Sequence, residues 1–377
     1  MRKLLLVGLV SGVGLIADTG KDVGYQVTIG FDFFQPSFDA RTTALAGSNQ
    51  FTSLASNLVA SNPANTGLMK DAHVSAAYSH ERISWEDVDV DDFQNNTGHV
   101  YASLPVGPYV DALPDYGNVT VGWVGDWAEW DSGSDFVAAD LEYTNHGFTL
   151  GYAKALGDSW ALGYAVTYFQ GEGELALGAV DPLTGTVQVV ELSTEQDTLR
   201  HNLGALFKVG EKTHVGFGGY YSHSIDEEIS VDAGVVGPGG GWYFGGRAGN
   251  SFDLTSWGLG LGVEHTYDFG LTTAAGLDYA NYDIDSDDGR AYNIRVGAEY
   301  PLGETVVLRA GYRYFAGSDF DEAFESDANV KFNAASGGFG VNFANWGSLN
   351  YGVEYRHIGD GDFTHTVSYD VPFSICE

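Results

Sequence analysis

Four charged side chains in the last third of the chain stand at a spacing that could do chemistry. Tyr292 to Tyr300 alternates, with Tyr292, Ile294, Val296, Ala298 and Tyr300 on one face and Asn293, Arg295, Gly297 and Glu299 on the other. Tyr300 and Val306 flank a tight turn. A simple hairpin register then sets Arg309 opposite Gly297, with Glu299 and Arg295 as its diagonal neighbours and Arg313 diagonal to Arg295. Three guanidinium groups against one carboxylate leave a positive excess that could hold a carboxylate through forked, charge-assisted hydrogen bonds. The same groups could equally form a structural ion-pair network that braces the strands or grips another segment.

Two further sets stand nearer the N-terminus. Phe31, Phe33, Phe34 and Phe38 concentrate aromatic surface in the stretch from Lys21 to Phe38, which reads as a short strand or extended arm. They could line an apolar site or simply anchor the arm. Asn62-Pro63-Ala64 forms a rigid turn, since Pro63 fixes its own φ and biases Asn62 to an extended shape. No catalytic constellation is legible: Ser, His and Asp are scattered without Gly-x-Ser-x-Gly, and no His pair has metal-ligand spacing. The acidic loops resemble calcium loops in composition but lack EF-hand spacing. Cys376 is the sole cysteine, so no intramolecular disulfide and no thiol motif exist. The chain is not read as an enzyme, and no cofactor or metal is expected.

Composition narrows the class. Lys and Arg number 17 against 51 Asp and Glu, a formal net charge of −34, which excludes a nucleic-acid partner because phosphate binding needs a basic face. Gly is 52 of 377 residues and aromatics are 14%, usual for a β-rich chain with aromatic girdles. Mean hydropathy is −0.11, which fits strands whose apolar and polar faces average out. Residues 1–17 read as a secretory signal, with Arg2 and Lys3 ahead of a short apolar run.

The elements that would position these residues follow from periodicity. Ala40 to Met69 is long, rich in small residues and free of Asp and Glu. After it, fourteen strand candidates begin near His73, Thr97, Gly117, Asp140, Asp158, Thr198, Lys212, Ser251, Phe269, Arg290, Gly303, Ala334, Trp346 and Thr364. Tight turns such as Leu156-Gly157-Asp158 and Pro301-Leu302-Gly303-Glu304 alternate with long polar connections. The longest of these are Gly171 to Gln196 and Ser224 to Asn250. That asymmetry belongs to an outer-membrane barrel. The expected fold is all-β: a transmembrane antiparallel β-barrel of fourteen strands with an N-terminal plug inside the lumen. The boundaries are 1–17 signal peptide, 18–70 arm and plug, 71–373 barrel and 374–377 tail. An ionised group facing lipid costs about 2–4 kcal/mol near the midplane. The faces with Arg200, Lys208, Arg295, Glu299, Arg309, Arg313, Glu354 and Arg356 must therefore point inward.

The run Ala40-Arg41-Thr42-Thr43-Ala44-Leu45-Ala46-Gly47, followed by Ser61-Asn62-Pro63-Ala64 before the first strand, resembles the FadL-type long-chain fatty-acid transporters of Gram-negative outer membranes. The acidic stretch usual between these two parts is replaced by Ser53-Leu54-Ala55-Ser56-Asn57. The resemblance implies passive uptake of hydrophobic molecules, fatty acids or hydrocarbons, through an internal pocket beside the plug. It further implies sideways exit through a gap in the wall. The implied partners are these solutes, outer-membrane lipid and lipopolysaccharide, and the barrel assembly machinery, which would read the strand ending at Phe373. Relatives with the same plug include a secretion-system shuttle, so a scaffold role is the alternative; an open porin is a third.

Overall fold

The computed structural model describes residues 5–9, 12–16, 39–83, 93–106, 116–133, 137–180, 187–236, 242–250, 254–284, 287–318, 330–344, 346–357 and 362–373. Residues 5–9 and 12–16 pair as a small separate hairpin. The arm with Phe31, Phe33, Phe34 and Phe38 lies outside the described residues, as does the 374–377 tail.

Fourteen strands alternate up and down: β1 Ala72–Ile83, β2 Phe93–Pro105, β3 Asn118–Gly133, β4 Val137–Ala155, β5 Trp160–Val180, β6 Val187–Val209, β7 Thr213–Val236, β8 Leu254–Thr266, β9 Thr272–Ile284, β10 Asp287–Leu302, β11 Val306–Ser318, β12 Val330–Phe343, β13 Gly347–His357 and β14 Asp362–Phe373. Each pairs antiparallel with its sequence neighbours, and β14 closes on β1 with Phe373 opposite Ala72. A closed barrel removes the unpaired edges that an open sheet of this size would expose. Both ends of the barrel segment therefore lie on the short-turn side. The five short turns each place a glycine, Gly157, Gly210, Gly270, Gly303 or Gly347, at positive φ, where other residues are strained.

The two faces separate as solvation demands. Leu150, Leu203, Leu259, Val263, Ile294 and Val296 are exposed on the outside, with aromatic residues beyond them at both ends of the band. Trp160 stacks on Phe207 at the short-turn end, and Trp257 packs on Tyr279 toward the other. On the inside, Arg200, Arg295, Arg309, Arg313, Glu354 and Arg356 are all buried.

The described parts of two expected loops are strands instead. β5, β6 and β7 run to 21, 23 and 24 residues: Gly171 to Val180 pair with Val187 to Gln196, and the start of the Ser224–Asn250 stretch pairs with β6. A fifteenth strand, Trp242–Asn250, folds back on the upper part of β7 outside the closed ring. Beyond the membrane both faces of a strand meet water, so the apolar–polar contrast that marks a strand in sequence fades while the backbone ladder continues. The implied sideways gap, which the sequence does not place, does not show as a break in the ladders around β3. β3 keeps an unbroken register with β2 from Asn118 to Glu129 and with β4 from Asn118 to Gly133.

Candidate functional site

The segment from Asp39 to Met69 lies inside the ring, almost wholly buried. It opens with α1, the single turn Ala40–Ala44, capped by the Asp39 carboxylate, which accepts from Thr42 N at 2.6 Å. The turn ends in a Schellman pattern: Gly47 N donates to Thr42 O and Ala46 N to Thr43 O, with Ala46 and Gly47 both at positive φ. Two short 3-10 turns, Ser56–Ala60 and Pro63–Thr66, follow.

Glycines on the inner wall make the socket for this segment. A β-carbon placed at Gly352, Gly311, Gly216 or Gly163 would overlap the backbone of Ala40, Leu45, Phe51 or Pro63 respectively. One placed at Gly338 would lie 2.7 Å from the Ala44 methyl, and one at Gly151 would lie 2.7 Å from a Val59 methyl. The plug thus runs round the inside from β13 to β4 with its backbone laid directly on wall backbone. Part of the high glycine content has this physical cause. Strand glycine carries an entropic cost, and here close approach of a second chain segment offsets it.

Asn62 locks the far side. It is fully buried; its Oδ1 accepts from Ala64 N at 3.1 Å, and its Nδ2 donates to Phe51 O at 2.7 Å and Ala205 O at 3.1 Å. The carbonyls it satisfies are shut away from water, where an unmade bond is costly. It ties the plug to β6, not to the first strand. Pro63 and Ala64 pack against Gly163 of β5 and against Ala161 and Leu206. The plug's exit is held by Asn118 of β3, whose Nδ2 donates to Met69 O at 3.0 Å.

The arginine cluster differs from its expected form in register and in charge. Glu299 faces Arg309, and Arg295 faces Arg313, two residues along from the simple hairpin. Pro301 and Leu302 stay in the strand and the loop is only Gly303 to Thr305. A residue without an N–H is tolerated there because β9 stops pairing with β10 at Glu299.

Between the two charged pairs lies Gly297 opposite Gly311, and the plug at Leu45, Ala46 and Ser48 sits on them. The four residues therefore form two layers. In the lower layer Glu299 accepts from Arg309 Nε at 2.6 Å and from Arg41 of the plug at 2.9 and 3.3 Å. The Glu299 carboxylate raises the Arg41 pKa against the opposing effect of burial, so this plug charge is permanent. In the upper layer Arg295 pairs with Asp278, which also accepts from Gln50 of the plug at 3.2 Å and from Asn293 at 2.9 Å. Arg313 meets Glu354 at 2.6 Å, Arg356 meets the same carboxylate at 3.0 Å, and Arg356 also pairs with Glu81. The expected three guanidinium groups against one carboxylate become five against four, because Asp278, Glu354, Glu81 and Arg356 arrive from strands that a single hairpin cannot reveal and Arg41 from the plug.

Above the plug the inner wall also carries aromatic rings. Phe315 and Phe332 stack at 4.9 Å, with the Arg313 guanidinium 5.3 Å from the Phe332 ring. Seven strands away around the ring, buried Tyr143 and Phe169 face inward from β4 and β5. Arg200 lies 4.0 Å over Tyr220 on β7. The sequence did carry a signal for these rings: each is an aromatic residue on the polar-parity face of its strand.

No family model and no curated protein matches this sequence. Among solved structures it is similar to the CymD monoaromatic hydrocarbon channel at 14% identity and a TM-score of 0.62, covering 92% of this chain and 99% of that one. It is similar to a Pseudomonas aeruginosa FadL homologue at 13% identity and a TM-score of 0.63, covering 90% and 99%. The Ralstonia pickettii toluene transporter TbuX gives 12% identity and a TM-score of 0.60, covering 91% and 100%. At these identities the likeness is one of fold, and the fold is that of the FadL-type outer-membrane barrels.

Proposed function

We propose that this chain is an outer-membrane channel through which hydrophobic molecules, fatty acids or hydrocarbons, enter passively. The observation that carries the reading is the seated plug. A porin needs a water-filled lumen, whereas here a buried segment is fitted to the wall and tied by Glu299, Asp278 and Asn62. Its fold neighbours are named as monoaromatic hydrocarbon channels and toluene transporters. A solute gains about 0.8 kcal/mol for each methylene it buries, and the rings of Phe315, Phe332, Tyr143 and Phe169 offer such surface above the plug.

Within this reading the two charged layers take different roles. Arg295 and Arg313 form the polar end of the ligand pocket, beside the Phe315–Phe332 stack. Arg309 and Glu299 hold the plug through Arg41. The arm with Phe31, Phe33, Phe34 and Phe38 adds apolar lining. Because β2, β3 and β4 are continuously paired, exit needs local opening of the wall or movement at the plug. Residues 1–17 direct export, and assembly machinery reads the strand ending at Phe373.

The test is uptake into proteoliposomes holding the full mature chain, using radiolabelled toluene, hexadecane and palmitate beside a small sugar. Hydrophobic solutes should enter faster than into protein-free vesicles and the sugar should not. Fast sugar entry, or no acceleration of any hydrophobic solute, would refute the proposal.

A further inference from the structure

The outward face of the barrel changes sign around its rim. On the loop side, just beyond the apolar band, β10 carries Arg290 and β12 carries Lys331, both exposed and on the same face as Tyr292 and Asn333. β13 adds exposed His357, which stands opposite Asn333. Exposed His365 on β14 faces His80 on β1, and the Tyr351 hydroxyl lies 2.8 Å from His365 Nδ1. These strands are neighbours from β10 through β14 to β1. At a similar height on β3 to β6, the outward residues are instead Glu129, Glu142, Glu172, Glu174 and Glu195, all exposed.

Cations are scarce in this chain, which makes their placement informative. Among the described residues of the barrel strands, the Lys and Arg on the outward face are Arg82, Lys154, Arg290 and Lys331. Lys154 sits at the short-turn end. The other three belong to the loop-side rim of the β10–β1 arc. One register step above Arg290, Asp283 and Asp288 begin the acidic loops. The order from the bilayer outward is thus apolar band, then cations. A cation at that height lies level with lipid headgroups, where long side chains reach the interface.

We infer that the arc from β10 to β1 is a docking surface for the phosphate groups of the outer-leaflet glycolipid, diphosphorylated lipid A. Charge complementarity selects the occupant. The rim of β3 to β6 is acidic and repels phosphate, so the glycolipid would order against the β10–β1 side in preference to that one. A cation beside an anionic membrane surface strengthens binding by roughly fivefold.

Native mass spectrometry of the full mature protein in detergent would test this, with added diphosphorylated lipid A, dephosphorylated lipid A or phosphatidylglycerol. The wild type should retain diphosphorylated lipid A best, and added salt should weaken that form alone. The double variant Arg290→Gln, Lys331→Gln should bind it roughly twentyfold more weakly. Lys154→Gln should not change it. Heat-modifiable migration on gels would check that the barrel is folded, and the salt series on the wild type decides the matter if the double variant does not fold. Equal retention of dephosphorylated lipid A would assign binding to the apolar band and overturn the proposal. Equal retention of phosphatidylglycerol would make the arc a general anionic-lipid contact and overturn the assignment to lipid A. Unchanged binding by the folded double variant would also overturn it.

Discussion

Asn62 of the plug and Gly204 of β6 share one space: a β-carbon at position 204 would overlap the Asn62 amide oxygen. The wall gives up a side chain so that the plug can make three hydrogen bonds there.

Gly204→Val should therefore loosen the plug without unfolding the barrel. Displacing Asn62 takes its donor from the buried Phe51 carbonyl, at about 1–3 kcal/mol, and removes the tie to the Ala205 carbonyl of β6. In planar bilayers the variant should pass steady current where the wild type is nearly silent. Gly219→Ala is the control, because that glycine lies on the outward face, where the nearest side-chain atom is 3.2 Å away on Leu259. Equal silence in both variants would mean that the plug is not seated through this contact.

Glu299 serves two guanidinium groups, so its loss should matter more than the loss of either. Glu299→Gln leaves Arg41 and Arg309 facing each other without the carboxylate they share, while Arg41→Gln keeps the Glu299–Arg309 pair. Breaking a buried pair costs about 3–5 kcal/mol. Side-chain exposures of 27% for Arg41 and 18% for Glu299 lower this to about 2–3 kcal/mol. The urea concentration at which bilayer current appears should fall most for Glu299→Gln, less for Arg41→Gln. The reverse order would remove this triad from the account of plug docking.

The split of the arginines into layers separates two uptake phenotypes. Arg313→Gln should slow palmitate entry about tenfold while leaving hexadecane nearly unchanged, because it removes a charge-assisted donor beside the pocket. Arg309→Gln should change both solutes alike, through the plug. If Arg313→Gln slows the two solutes equally, the upper layer is purely structural.

Topology gives a labelling test. In a Cys376→Ser background, a cysteine replacing Glu174 on the extended β5 should react with an impermeant maleimide on intact cells. One replacing Asp158 in the short β4–β5 turn should react only after the membrane is broken. The opposite pattern would invert the barrel.

The sequence by itself determined the strand count, the sidedness of the turns and which face of each strand meets lipid. The reason is that a barrel wall separates two solvents, and period two records that difference residue by residue. Tyr292 to Tyr300 and Leu349 to Arg356 are legible for this reason alone. So is the plug, because an apolar segment of small residues without carboxylates stands out in so acidic a chain.

Only the tertiary structure decided the rest. The register of Arg309 depends on whether Pro301 ends the strand, and that depends on where β9 stops. The partners of Arg295 and Arg313 lie 17 residues before and 41 residues after them in sequence, on β9 and β13, outside the β10–β11 hairpin. The glycines were visible as a composition but not as a socket. A residue without a side chain carries no pattern of its own, and what fills its space is fixed only when the plug is laid against the wall.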